Sequence, residues 1–342
     1  MQEYIFSLPD PFPLESGEVL AGAQVAYRTW GRLNATRDNV VWVCHALTAN
    51  ADVLDWWPGL FGEGHFFDPA DWFIVCANIL GSCYGSTCPL SPDPATGVGR
   101  FQNFPLLTIR DLVAAHEALR RELGLTYIHT LIGGSLGGQQ GLEWAVSRPE
   151  LVGHLVVIAT SARHSAWGIA FNEAQRLAIE ADATYHEGRP GGGDAGLAAA
   201  RAVALLSYRG YDAYTATQTD PDDSRLRDFR ASSYQRYQGD KLVARFDAYS
   251  YVALTRAMDS HNLGRGRGGV GAALASIRAR TLVLGITSDV LFPLAEQRTI
   301  AAGIPGAVYG ELDSGYGHDG FLLETVKITQ ALEVFYAAAL AE

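Results

Sequence analysis

Short apolar runs rich in β-branched residues recur at 40–44 (VVWVC), 72–77, 130–132, 155–159, 281–286 and 307–312, separated by stretches of helical periodicity. Runs this short and apolar suit strands buried on both faces. Strands that alternate with helices imply an α/β fold with a mostly parallel, doubly wound sheet. Ile109, Leu112, Val113, His116, Leu119 and Leu123 fall at three- and four-residue spacing behind Thr108. This predicts a helix over 109–123 with Thr108 as its N-cap. Residues 19–30 alternate loosely, which predicts an antiparallel hairpin at the sheet edge.

The alternation stops after about residue 161 and resumes near 280. The stretch between them contains FNEAQRLAIEA, GLAAARAVALLSY and SSYQRYQGDKLVARFDAYSYVALTRAM, which carry helical periodicity and little strand character. It reads as a helical lid, 162–279, inserted between two parts of one core, 1–161 and 280–342. A chain of 342 residues with 48% hydrophobic content can bury such a core. The glycine-rich runs at 191–193 and 264–271 (GRGRGGVG) read as surface loops, and the second matches no phosphate-binding loop.

The strongest local signal is Gly133-Gly134-Ser135-Leu136-Gly137, a G-x-S-x-G pentapeptide between a predicted strand and a predicted helix. A serine on so sharp a turn has strained backbone geometry, and residues two before and two after it must lack colliding side chains. The turn presents the hydroxyl beside a helix N-terminus, whose free N–H groups favour developing negative charge. A serine hydroxyl is a weak nucleophile at neutral pH, so this reading requires a general base and a carboxylate to orient it, in the order Ser, Asp, His. Asp289 and His318 each follow a predicted strand, which makes Ser135, Asp289 and His318 the candidate nucleophile, orienting acid and base. A helix N-cap role for Asp289 and a plain loop role for His318 are the competing readings. His45, a rival base, is expected to shape the loop after the first core strand. The oxyanion hole is then assigned to the backbone N–H groups of Leu47 and Leu136.

Charge narrows the partners. With 26 Lys+Arg against 37 Asp+Glu the net charge is −11, which disfavours nucleic acid and anionic membrane surfaces. The first residues lack a basic and apolar leader pattern and no apolar run is long enough for a span, so a cytoplasmic protein is expected. Cys44 and Cys76 fall inside strand-like runs and Cys83 and Cys88 have no metal-site spacing, so reduced thiols and no metal site are expected.

The segments NVVWVCHALTAN, NILGSCYGSTCP, GGSLGGQQGLEWA, FNEAQRLAI, RYQGDKLVARFDAYSYVALTRAMD and GHDGFL together resemble the homoserine O-acyltransferase family of methionine biosynthesis, from about Phe12 onward. The resemblance implies an α/β-hydrolase fold with a helical lid and a homodimer formed through that lid. It implies acyl transfer from acetyl-CoA, or another acyl-CoA, to L-homoserine, with no permanently bound cofactor. It assigns the same three residues to the triad. It also implies Arg176 and Asp319 as substrate-binding residues and Tyr234 as a pocket residue. Succinyl-CoA as donor, L-serine as acceptor, and water as acceptor in an esterase or thioesterase stay open. Lys241 and Arg245 are lid candidates for the CoA phosphates, with a plain solvated charge as the competing reading of each.

Overall fold

The computed structural model describes residues 2–339. Its strands are β1 (Tyr4–Ser7), β2 (Phe12–Pro13), β3 (Val19–Leu20), β4 (Gln24–Trp30), β5 (Val40–Cys44), β6 (Phe73–Ala77), β7 (Ile128–Gly134), β8 (Val152–Ile158), β9 (Arg280–Ile286) and β10 (Val308–Leu312). The described residues form an eight-stranded sheet in the order β1, β4, β6, β5, β7, β8, β9, β10, with β2 and β3 as a separate ribbon. From β6 to β10 every neighbouring pair is parallel, while β4 runs antiparallel to β1 and β6.

Residues along β5 explain why the central strands are apolar at every position. Val40, Trp42 and Cys44 enter the core on one face of the sheet, and Val41 and Val43 enter the core on the other. Side chains alternate across a strand, so only a sheet covered on both faces asks for this pattern. Residues 19–30 do not make the expected hairpin. β4 pairs instead with β1 and β6, and Val19 and Leu20 pair with β2. β1 is exposed at three of its four positions, so it has no burial pattern for a sequence to display.

The core helices are α1 (Val53–Trp56), α2 (Ile109–Glu122) and α3 (Leu136–Ser147). Thr108 starts α2 with a full capping box: its N–H donates to the Asp111 carboxylate at 2.8 Å and its hydroxyl accepts from the Asp111 N–H at 3.3 Å. Between β8 and β9 stand α4 (Ala166–Glu180), α5 (Asp194–Tyr208), α6 (Tyr211–Gln218), α7 (Arg230–Val243), α8 (Ala248–Asp259) and α9 (Val270–Ala275). α5 packs against α4 and α7, forming the body of the lid, whereas α9 packs onto α10 (Leu294–Gly303) of the core. The glycine-rich run before α9 is tied down, with Arg265 paired to Glu15 at 2.8 Å and Arg267 to Glu143 at 2.5 Å. The chain ends with α11 (Gly320–Leu323) and α12 (Thr325–Ala339).

The lid meets the core closely at one point that matters for chemistry. A Cβ on Gly210, just beyond α5, would stand 2.1 Å from the Gly315 carbonyl oxygen, so only glycine lets the end of α5 reach the loop after β10. Among the described residues no helix is long and apolar enough to cross a membrane, and the four cysteines are free thiols.

Candidate active site

Ser135 stands between β7 and α3 with φ 57° and ψ −126°, a region that non-glycine residues occupy only under strain. Its backbone is held from both sides: its N–H donates to Ile158 O at 3.0 Å, and Thr160 Oγ1 donates to its carbonyl at 2.7 Å. A Cβ at Gly133 would lie 2.4 Å from the Gly137 carbonyl, and one at Gly137 would lie 2.0 Å from the Cys44 carbonyl oxygen. The obstacles are backbone, which cannot swing aside. Gly137→Ala is therefore expected to destabilise the fold by about 1–3 kcal/mol or more. Gly271→Ala, where nothing lies within 4 Å of the new methyl, should cost nothing. Urea midpoints of the two variants compare them.

Asp289 and His318 occupy the loops after β9 and β10. The Asp289 carboxylate divides its work: Oδ2 accepts from His318 Nδ1 at 2.7 Å, and Oδ1 accepts the N–H groups of Leu291 and Phe292 at 2.8 and 2.9 Å. His318 is buried among Phe292, Phe321 and Tyr208, at ring-centroid distances of 5.2, 5.2 and 5.7 Å. With Nδ1–H committed to Asp289, the free lone pair of His318 is on Nε2. Ser135 and His318 line one cavity of about 620 Å³, roofed by lid residues.

His45 has a different task. Its Nε2 accepts the Ile79 N–H at 3.1 Å, so the proton is on Nδ1, which donates to the Ala46 carbonyl at 2.8 Å. Burial lowers its pKa to about 4, which keeps the ring neutral. The Ala49 N–H also donates to that carbonyl, at 3.1 Å. In a trans peptide the N–H points opposite to the C=O, so pinning Ala46 O turns the Leu47 N–H away from His45. Leu47 lines the Ser135 cavity. Leu136 is the first residue of α3, so its N–H has no acceptor within the helix. Gln140 Nε2 donates to the carbonyls of His45 and Leu136 at 3.1 and 3.2 Å, joining the two segments.

The far wall of the cavity is charged. Asp319 pairs with Arg209 at 2.9 Å, and Arg201, Tyr208 and Arg209 line the cavity beside it. Burial pushes the Asp319 carboxyl up, while Arg209 first, then His318 and Arg201, pull it down. Arg176 is not part of this wall. It is buried on α4, where its guanidinium meets Glu173 at 2.5 Å and Asp259 of α8 at 2.6 Å, and it does not line the cavity. Tyr234 also stays outside: it lies a turn before Gln238 on α7, at the end that meets α6, with its ring 5.8 Å from that of Tyr214. α7 contributes Gln238, Lys241 and Leu242 instead. Arg245 lines the mouth and bonds to Thr48 O and Tyr84 Oη at 2.6 and 2.7 Å. Arg201 carried a signal in the sequence: it is the only charge in the apolar run GLAAARAVALLSY.

A family model described as the alpha/beta hydrolase fold matches residues 39–325. The homoserine O-acetyltransferase of Cyclobacterium marinum is 48% identical over 336 residues, covering 98% of this chain and 95% of that protein. The solved homoserine O-acetyltransferase from Staphylococcus aureus is 31% identical with a TM-score of 0.81, covering 98% of this chain and 95% of that one. The crystal structure of esterase E22 superposes with a TM-score of 0.90 at 22% identity, over 98% of this chain and 99% of that one, a likeness of fold alone. With this breadth of identity, the chain belongs to the homoserine O-acetyltransferase family of the α/β-hydrolase fold.

Proposed function

We propose that the chain moves an acetyl group from acetyl-CoA, through an acyl-Ser135 intermediate, to the side-chain hydroxyl of L-homoserine. The observation that carries this reading is the joining of two features in one cavity: a Ser135 elbow with an Asp289-oriented His318, and an Asp319 and Arg201 wall suited to an amino acid. In the first step His318 Nε2 takes the Ser135 proton as Oγ attacks the thioester carbonyl. The N–H groups of Leu47 and Leu136 stabilise the oxyanion, and CoA leaves as the thiol after taking the proton from His318. In the second step His318 deprotonates the homoserine hydroxyl, which attacks the acyl-enzyme carbonyl; the acyl–Oγ bond breaks, Ser135 takes the proton back from His318, and O-acetyl-L-homoserine leaves. Arg201 fits the α-carboxylate and Asp319 the α-ammonium, and holding both ends gives the alcohol a large effective molarity over water.

Lys241, exposed at the mouth, suits a CoA phosphate; Arg245 is already engaged with the loop of Thr48. This reading places the enzyme in the cytoplasm, in methionine biosynthesis. A homodimer through the lid is supported by an exposed stripe on α4, Trp167, Ala170, Ala174 and Leu177, at alternating three- and four-residue spacing.

CoA thiol release from acetyl-CoA, measured with and without L-homoserine, tests the proposal. Multiple turnovers that require homoserine, with no more than one thiol per active site released without it, are the expected result. Equal release without it would mean a thioesterase. Release only from succinyl-CoA, or only with L-serine, would move the substrate pair.

A further inference from the structure

A second cavity, of about 610 Å³, opens where the lid leaves the core, on residues that acyl transfer leaves unused. Its walls come from Arg163, His164 and Ser165 ahead of α4, Ala166 and Ile169 on α4, the end of α8 with the loop that follows, and Glu296 on α10. The charges here are not all satisfied. Asp259 is matched by Arg176 at 2.6 Å and Arg265 by Glu15 at 2.8 Å. Arg163 and Glu296 have no side-chain hydrogen bond or ion pair among the described residues, and they stand more than 4.0 Å from each other.

Glu296 is half-buried, and burial alone pushes its carboxyl up, with no cation opposing. An unmatched carboxylate in a half-buried wall is costly, and the guanidinium of Arg163, exposed and unpaired, borders the same space. The rest of the lining is uncharged or already neutralised. Burial holds His164 at about 4 and His261 at about 3, so both rings are neutral polar groups, and Ala166 and Ile169 add an apolar surface.

We propose that this cavity is a second binding site for a small zwitterion of the α-amino-acid class, with its carboxylate on Arg163 and its ammonium on Glu296. One ligand bearing both charges neutralises two groups that do not pair with each other, and an aliphatic side chain finds the Ala166 and Ile169 wall. The site lies directly behind the triad. Phe292 packs between His164 and His318, at ring-centroid distances of 5.7 and 5.2 Å, and its N–H holds Asp289 Oδ1 at 2.9 Å. Trp167, two residues past Ser165, donates to Val290 O at 2.7 Å. The 289–292 segment thus touches His164 of the second cavity on one side and the Asp289 carboxylate and His318 on the other.

The test is calorimetric titration of a Ser135→Ala, Arg201→Ala double variant, which removes the carboxylate contact of the first cavity, with L-leucine, acetate and n-propylamine. Saturable binding of L-leucine is expected, with acetate and propylamine, which carry one charge each, binding about tenfold more weakly or worse. Adding Arg163→Ala or Glu296→Gln should each weaken L-leucine about tenfold or more, while in the otherwise wild-type enzyme both leave basal turnover unchanged. No saturable binding of L-leucine, equal binding of the singly charged probes, or binding indifferent to both substitutions would each overturn the proposal. Calorimetry needs no turnover, so this result stands or falls separately from the acyl-transfer reading.

Discussion

Ser135→Ala is expected to lower turnover about 10⁴–10⁶-fold without unfolding the protein, because the hydroxyl supplies the bond that carries the acyl group. The triad geometry allows a sharper version. In Asp289→Asn the side-chain oxygen must stay at the Oδ1 position, since the N–H groups of Leu291 and Phe292 both donate there. The amide NH₂ then faces His318 Nδ1, which has to become an acceptor. That forces the proton onto Nε2, the nitrogen that must accept from Ser135. The expected loss is about 10⁴-fold in kcat, with the melting temperature nearly unchanged, since the shape and the backbone hydrogen bonds survive. Steady-state CoA release paired with thermal denaturation checks it. A loss under tenfold in Asp289→Asn would mean that His318 does not depend on this carboxylate.

How far the site could be read from sequence follows from what fixes each residue. The elbow is local: Gly133 and Gly137 are required by contacts within the turn and with Cys44, the last residue of the neighbouring strand β5, so their spacing is visible in five letters. Asp289 and His318 follow strands of a parallel sheet, and strand ends in such sheets share one edge, so their convergence is a property of the fold. The lid offers no such guarantee. Arg176 and Arg201 both belong to helices with buried faces, α4 and α5, and which cation meets the cavity depends on how those helices pack against α8 and the loop after β10. The glycine contact at Gly210 settles the matter for α5 by bringing its C-terminal end to His318, whereas α4 turns Arg176 onto Asp259. Tyr234 stands outside the cavity for a related reason: helical spacing places it on the same side of α7 as Gln238 and Lys241, a turn farther from the cavity.

That placement makes the second large effect a contrast between two arginines. Arg201→Ala should lower kcat/KM for the amino-acid acceptor about 10²–10³-fold, the range for removing one partner of a desolvated charge pair, while leaving acylation of Ser135 by the donor intact. In rapid mixing with acetyl-CoA alone the variant should still release a burst of thiol equal to its active-site concentration, because that half-reaction requires no contact with the α-carboxylate. Arg201→Lys should recover only part of the loss, since an ammonium keeps the charge but not the planar fork that holds a carboxylate at two points. Arg176→Ala behaves oppositely. It strips Asp259 of its guanidinium at 2.6 Å and loosens the contact between α4 and α8, so it lowers the denaturation midpoint and leaves the acceptor KM in place. If instead Arg176→Ala raised the acceptor KM selectively and Arg201→Ala did not, the amino-acid wall would have to be sought on α4 and the role given to Arg201 would fail.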